Sequence, residues 1–262
     1  MALIALAADK GAPGVTTAAT ALAAVWPAPA LLVECDPAGG DLAYRLPAQD
    51  GSALNPARGL LSLAATARRG LRAEQVREHT QSLVGGLDVL VGIAGAEQAG
   101  GLTWLWEPLG QALAAMPGHD VIADCGRIGS YPAIHDFMAE AQLVVLLTRP
   151  HLEQVAHLRE RYAALTRTFA ERGRRVPIGV AVVADQREYG KALGEVRRVM
   201  GAVGEPEAVL GGLALDAKGA DLLRGEWGGR LDRTMLVRSA RQLAATLAVR
   251  VAAATQAAGS PR

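Results

Sequence analysis

Aromatic residues are scarce, with Trp, Tyr and Phe together making up 4% of the 262 residues. A stacking platform for single-stranded nucleic acid needs aromatic side chains interleaved with basic ones, and none is spaced that way here. Cysteine is scarcer still: Cys35 and Cys125 are the only two, far apart and away from any clustered histidines. That excludes a disulfide framework and a zinc-ligand spacing, and it makes a reducing cytoplasm the expected compartment. A charge excess is missing too. The 27 Lys and Arg stand against 26 Asp and Glu, a formal net charge of +1, so no global field draws nucleic acid or acidic lipid. No apolar run approaches the roughly 20 residues of a membrane span, because the Ala-rich C-terminal segment is broken by Arg241 and Arg250. The stretch from Met1 to Ala8 lacks a basic n-region and runs into Asp9 and Lys10, so it reads as a buried strand and not a signal peptide. Gly-x-Ser-x-Gly is absent, which argues against a common serine hydrolase, and His79, His119, His135, His151 and His157 form no metal motif.

What is present is apolar and periodic. Half of the residues are hydrophobic, enough to bury a sizeable core of Ala, Leu and Val. Short apolar runs at 2–8, 30–35, 87–91, 121–124, 143–147, 178–183 and 208–213 are bounded by Gly, Pro or Asp, as strands covered on both faces should be. Between them, Leu152, Val155, Leu158, Tyr162, Leu165 and Phe169 recur at intervals of three and four and predict a helix that stops at Gly173. Further helices are predicted over 17–26, 59–68, 73–83, 104–115, 191–200 and 239–255. This alternation predicts an α/β fold, a mostly parallel twisted sheet with helices on both faces. The segment from Pro47 to Asn55 reads as a loop, so 1–257 are expected to form one domain, with 258–262 a disordered C-terminal tail.

The first strand is followed by Lys10, Gly11, Ala12, Pro13, Gly14, Val15, Thr16 and Thr17, then by an Ala-rich helix. A small-residue turn between a buried strand and a helix N-terminus exposes successive N–H groups at the positive end of the helix dipole, which suits a phosphate. Such turns also occur without ligands. After the second strand comes Glu34-Cys35-Asp36-Pro37-Ala38-Gly39, and a third apolar run ends in Asp124-Cys125-Gly126-Arg127. Carboxylates at the carboxyl ends of buried parallel strands lie where ligands bind in open α/β sheets.

These three segments, in this order, resemble those of the MinD/ParA family of P-loop ATPases, whose deviant Walker A loop reads Lys-Gly-Gly-x-Gly-Lys-Thr-Thr. The resemblance implies a P-loop NTPase-like fold with ATP and Mg²⁺ as cofactors. It makes Lys10 the signature lysine that acts across a homodimer, Gly11 to Thr17 the nucleotide loop, and Asp36 the group that orients water. Thr16, Asp36 and Asp124 become the magnesium set, with the Gly126 N–H near the terminal phosphate and Asp185 the nearest polar match to an adenine-reading Asn. Two departures stand out. Ala12 replaces a glycine, and Val15 replaces the lysine that reaches the β- and γ-phosphates. Arg127 is a candidate to fill part of the vacated space, set against an ordinary surface role.

The expected function is therefore a weak or slow ATPase acting as a dimeric switch in positioning or assembly, with an unidentified protein partner. The alternative is an inactive pseudo-ATPase serving as a protein-binding scaffold. The resemblance also raises DNA contact through Arg224, Arg230, Arg233, Arg238 and Arg241, although arginines on a solvated face are ordinary. A membrane surface is not the expected partner, since the chain after Val251 has no bulky apolar face.

Overall fold

Near-continuous apolar runs can be satisfied only where both faces of a strand are covered, and the chain meets that demand with a parallel sheet between two helical layers. In a computed structural model of the protein, the strands are β1 (Leu3–Ala8), β2 (Ala30–Glu34), β3 (Gln81–Ser82), β4 (Asp88–Leu90), β5 (Asp120–Arg127), β6 (Leu143–Thr148), β7 (Ile178–Ala184) and β8 (Val209–Ala214). The helices are α1 (Val15–Ala24), α2 (Leu42–Arg45), α3 (Leu60–Thr66), α4 (Ala73–Glu78), α5 (Ala96–Gly100), α6 (Trp106–Ala114), α7 (Ile134–Met138), α8 (Leu152–Glu171), α9 (Tyr189–Gly201), α10 (Ala217–Leu223) and α11 (Met235–Gly259). The structure describes the chain apart from Ala12, Ser130, 226–229 and 260–262, and describes no side chain at Arg69 or 257–259. The last three residues of the expected tail thus lie outside the described residues, while α11 runs to Gly259.

The eight strands form one sheet in the order β3-β4-β2-β5-β1-β6-β7-β8, parallel except for the edge pair β3–β4. Strand β1 sits between β5 and β6 and is buried along its whole length. Its residues alternate, with Leu3, Ala5 and Ala7 entering the layer that holds Leu63, Leu109, Phe137, Leu165 and Val196. Ile4, Leu6 and Ala8 enter the opposite layer, made with Leu22 of α1 and with Leu243 and Leu247 of α11. The few aromatic residues concentrate in the first layer, where Trp106 meets Phe137 and Tyr131 edge-on at 6.3 and 6.5 Å.

Helix α8 buries Val155, Leu158, Leu165 and Phe169 as its spacing predicts, and Gly173 at φ 69° ends it while the Arg174 N–H returns to the Phe169 carbonyl. Leu152, the first of the stripe, is exposed. The helix predicted over 73–83 stops at Glu78, because Gln81 is held by bonds to the backbone of Asn55 and Arg58 and joins the edge strand β3. Helix α11 starts four residues earlier than predicted, since the Asp216 Oδ2 accepts the N–H groups of Met235 (2.9 Å) and Leu236 (3.2 Å). The other oxygen of Asp216 accepts Gly219 N–H at 2.8 Å, so a single carboxylate caps α10 and α11 together.

Asp216→Ala removes both caps at once. At about 1 kcal/mol for a typical cap, it is expected to lower stability by about 2 kcal/mol in urea denaturation. A loss below about 0.5 kcal/mol would show that neither helix depends on this carboxylate.

Candidate functional site

Parallel strands place all their carboxyl ends on one edge of the sheet, and the loops leaving β1, β2 and β5 meet there. Gly14, at φ 92° and ψ 49°, ends the first loop in a left-handed conformation and opens α1. The N–H groups of Gly14, Val15, Thr16 and Thr17 donate to no protein acceptor among the described residues. Successive unpaired donors at the positive end of a ten-residue helix form an anion nest. Ala12 lies outside the described residues, Pro13 is buried, and Lys10 is exposed beside the loop.

The loop is strapped down from α8. The Gln154 carboxamide lies against Gly11, where a Cβ would come within 2.5 Å of it, and its Oε1 accepts the Arg149 N–H at 3.3 Å. Arg161 pairs with Asp9 at 2.6 Å, and the same guanidinium donates to the Gly129 carbonyl in the loop that leaves β5. Sequence reasoning missed Gln154 and Arg161, because their partners lie far away in the chain. Val15 is 6% exposed and joins the apolar layer beneath α1, so its side chain serves the core.

Three acids flank this nest, with different duties. Glu34 and Asp124 pair in register on β2 and β5. Glu34 is buried, yet its Oε1 accepts N–H bonds from Asp41 and Leu42 and its Oε2 accepts one from Gly92, at 2.9 to 3.0 Å. Its carboxylate is the core around which two loops fold, and a Cβ at Gly40 would come within 1.9 Å of it. Asp124 is 1% exposed; its Oδ1 accepts the Gly126 N–H at 3.0 Å, whereas its Oδ2 is buried with no partner. Asp36 accepts the Ala38 N–H at 2.8 Å and lies against Gly126, where a Cβ would meet its carboxylate at 1.8 Å. Gly126, at φ 57°, therefore ties Asp36 and Asp124 together.

Burial pushes the Asp124 carboxyl up to about 7, while the Thr16 hydroxyl and the Gly126 amide pull it down and the charges of Glu34 and Asp36 add to the rise. Desolvation raises Asp36 as well, opposed by its bond from Ala38 and by the nearby Arg127 guanidinium. The structure thus brings Thr16, Asp36, Asp124, Gly126 and Arg127 together at the loop. Asp185 stands apart: it is exposed, and its Oδ1 accepts the Arg187 N–H at 2.9 Å. Cys35 and Cys125 follow the paired acids on neighbouring strands, fully buried in one layer, and burial drives both thiols well up.

On the other side of β1 a cavity of about 150 Å³ is bounded by Pro13, Gly14 and Thr17, by Val183, Leu213 and Leu236, and by Arg149. A larger one, of about 520 Å³, lies along α8 with Val203 and Glu205 and contains none of the expected site residues. Among the described residues no three His, Cys, Asp or Glu side chains cluster to hold a metal unaided. A hard cation beside Asp124 would complete its shell with water and ligand oxygens. The buried Asp124 carboxyl, with no hydrogen bond to its Oδ2 and with the Thr16 hydroxyl near the group, fits such an ion. No helix among the described residues is long and apolar enough to cross a membrane.

Comparison with known proteins gives a consistent picture of the fold. No protein-family model and no curated protein sequence matches the chain. Solved structures do. A ParA family ATPase from Chlorobium tepidum superposes with a TM-score of 0.69 at 16% identity, covering 93% of this chain and 98% of that one. The cell division ATPase MinD of Pyrococcus furiosus gives 0.66 at 15% identity, over 95% and 98%. MinD of Pyrococcus horikoshii, complexed with Mg-ADP, gives 0.64 at 15% identity, over 94% and 95%. The chain has the α/β P-loop ATPase fold of ParA and MinD, as its three motif segments imply.

The raised Asp124 makes a pH prediction. Between about pH 4 and 7 the folded protein holds a proton that the unfolded chain has released, so stability falls as pH rises through this window. Without divalent cations, melting temperature is expected to drop from pH 5 to pH 8 more steeply in the wild type than in Asp124→Asn. Parallel calorimetric curves would show that Asp124 ionises normally.

Proposed function

We propose that the chain binds ATP with Mg²⁺ at the β1–α1 loop and hydrolyses it slowly, as a dimeric switch in positioning or assembling a cellular structure. The observation that carries this reading is the buried, unpartnered Asp124 Oδ2 at the foot of an anion nest. A lone buried carboxylate oxygen costs free energy in a finished core, and a cation would remove that cost. Thr16 and Asp124 would hold the metal, and Asp36, fixed by Ala38 and Gly126, would orient the attacking water. Magnesium when bound neutralises charge on the phosphate oxygens. The loop amides supply fixed dipoles to the phosphates, and Lys10 is exposed for a neighbouring copy of the chain, as the family resemblance implies.

Val15 is why the turnover would be slow. A hydrogen bond to a charged group is worth about 1.5–3 kcal/mol, roughly one to two powers of ten in affinity, and valine makes none. The same residue favours a second reading, in which the fold is kept as a protein-binding scaffold without turnover.

Phosphate release from ATP and Mg²⁺, run beside Asp36→Asn, separates the two. The switch predicts measurable release that falls by about 10²-fold or more in the variant, the usual scale for a residue that handles the attacking water's proton, with ATP still bound. Binding without release by the wild type would favour the scaffold, and equal release by both proteins would remove Asp36 from the chemistry.

A further inference from the structure

Two features of the nucleotide loop are unaccounted for. The side chain at the first position of the loop helix, Val15, faces the core and brings no cation to the helix end. Arg149, one residue beyond β6, carries a buried Nε that no acceptor satisfies. Its guanidinium forms no ion pair with a carboxylate among the described residues, and its backbone is fixed by Gln154, which also lies against Gly11. Arg149 shares the 150 Å³ cavity with Gly14 and Thr17, at the open end of α1. Arg149 thus lines a cavity, shared with the residues of the open helix end and with Asp216, while its own buried Nε–H lacks the anionic acceptor that a guanidinium calls for.

The sheet order gives the site a direction. The acids Asp36 and Asp124 leave β2 and β5 on one side of β1, while Arg149 and the apolar walls Val183 and Leu213 leave β6, β7 and β8 on the other. An elongated polyphosphate ligand lying across the loop would set its terminal phosphate at the acids, with their metal, and its apolar end in the cavity. Arg149 would then meet the phosphate next to the sugar. Resting on the nucleotide reading above, we infer that Arg149 supplies, on the base side of the loop, the cation that Val15 cannot supply on the metal side. Arg149 is thereby a specificity residue: it anchors any adenine nucleotide by its first phosphate and does not distinguish the triphosphate from the diphosphate.

Calorimetric titration of ATP, ADP and adenosine with Mg²⁺ tests this with the wild type, Arg149→Met, which keeps the apolar stem, and Arg149→Lys, which keeps the charge. Melting curves confirm that each protein is folded. The wild type is expected to bind ATP and ADP within about threefold of each other. Arg149→Met is expected to weaken both by about ten- to a hundredfold, the size of a charge-assisted contact, and to leave adenosine unchanged. Arg149→Lys is expected to recover part of the loss. Unchanged ADP affinity in Arg149→Met would overturn the assignment, as would an equal loss for adenosine, which would mark a shape effect. A wild-type preference for ATP above about tenfold would also overturn it, by placing the decisive charge at the terminal phosphate. Failure of the folded wild type to bind any of the phosphorylated ligands would instead remove the nucleotide reading itself.

Discussion

A buried strand that must become a helix within a few residues leaves the first N–H groups of that helix without acceptors, and the rest of the site is organised around this defect. Strand β1 lies at the middle of the sheet, so the loop that leaves it is flanked on both sides by other strand tips. The chain passes from β1 to β2 across the position of β5, and from β5 to β6 across β1 itself. These opposed crossovers open a crevice at the carboxyl edge, where ligands bind in open α/β sheets. The unpaired amides of 14–17 face that crevice because α1 must fold back to cover Ile4, Leu6 and Ala8.

Hydrogen-bond satisfaction separates the two paired acids better than their position does. Glu34 and Asp124 occupy equivalent places on adjacent strands, and both are buried. Three backbone N–H groups complete Glu34, so it behaves as a structural centre for the loops at Asp41 and Gly92. The extra methylene of Glu over Asp gives it that reach. Asp124 is completed on one oxygen only. A completed carboxylate has nothing left to offer a ligand, whereas a half-completed one is costly until something arrives. The same test singles out Arg149 from the other arginines at this edge, since Arg161 is spent on Asp9 and on the carbonyl of Gly129.

How much of this was legible in the sequence follows from which interactions are local. The strands and α8 were readable, because strands covered on both faces impose continuous apolar runs and a one-sided helix imposes a spacing of three to four on neighbouring residues. The loop and the two strand-end acids were readable for a related reason: each is a short segment with its own composition. Interactions across the fold left no such trace. The cap of α11 by Asp216, the strap from Gln154 to Gly11 and the pairing of Arg161 with Asp9 each join residues that nothing in the sequence connects. Arg149 did leave a faint signal. It follows an apolar strand run directly, as Cys35-Asp36 and Asp124 do, and in a parallel sheet such positions share an edge. Asp185 occupies a comparable place after β7, but its carboxylate closes its own turn at Arg187.

The shape of the β1–α1 loop does not rest on the side chain of Val15, which faces the core. The nest is made by main-chain amides and by left-handed glycines, none of which depends on the side chain at position 15. Valine at that point adds apolar contact with the layer under α1, where a lysine would have to keep its ammonium clear of the core. Valine brings no charge to the neighbouring acids, and burial raises both Asp36 and Asp124. A phosphate entering such a site meets fixed dipoles in front and carboxyl groups beside it. On the functional reading advanced above, binding then requires either a divalent cation to take up the acids' charge or a cation on the opposite flank, and the geometry provides for both.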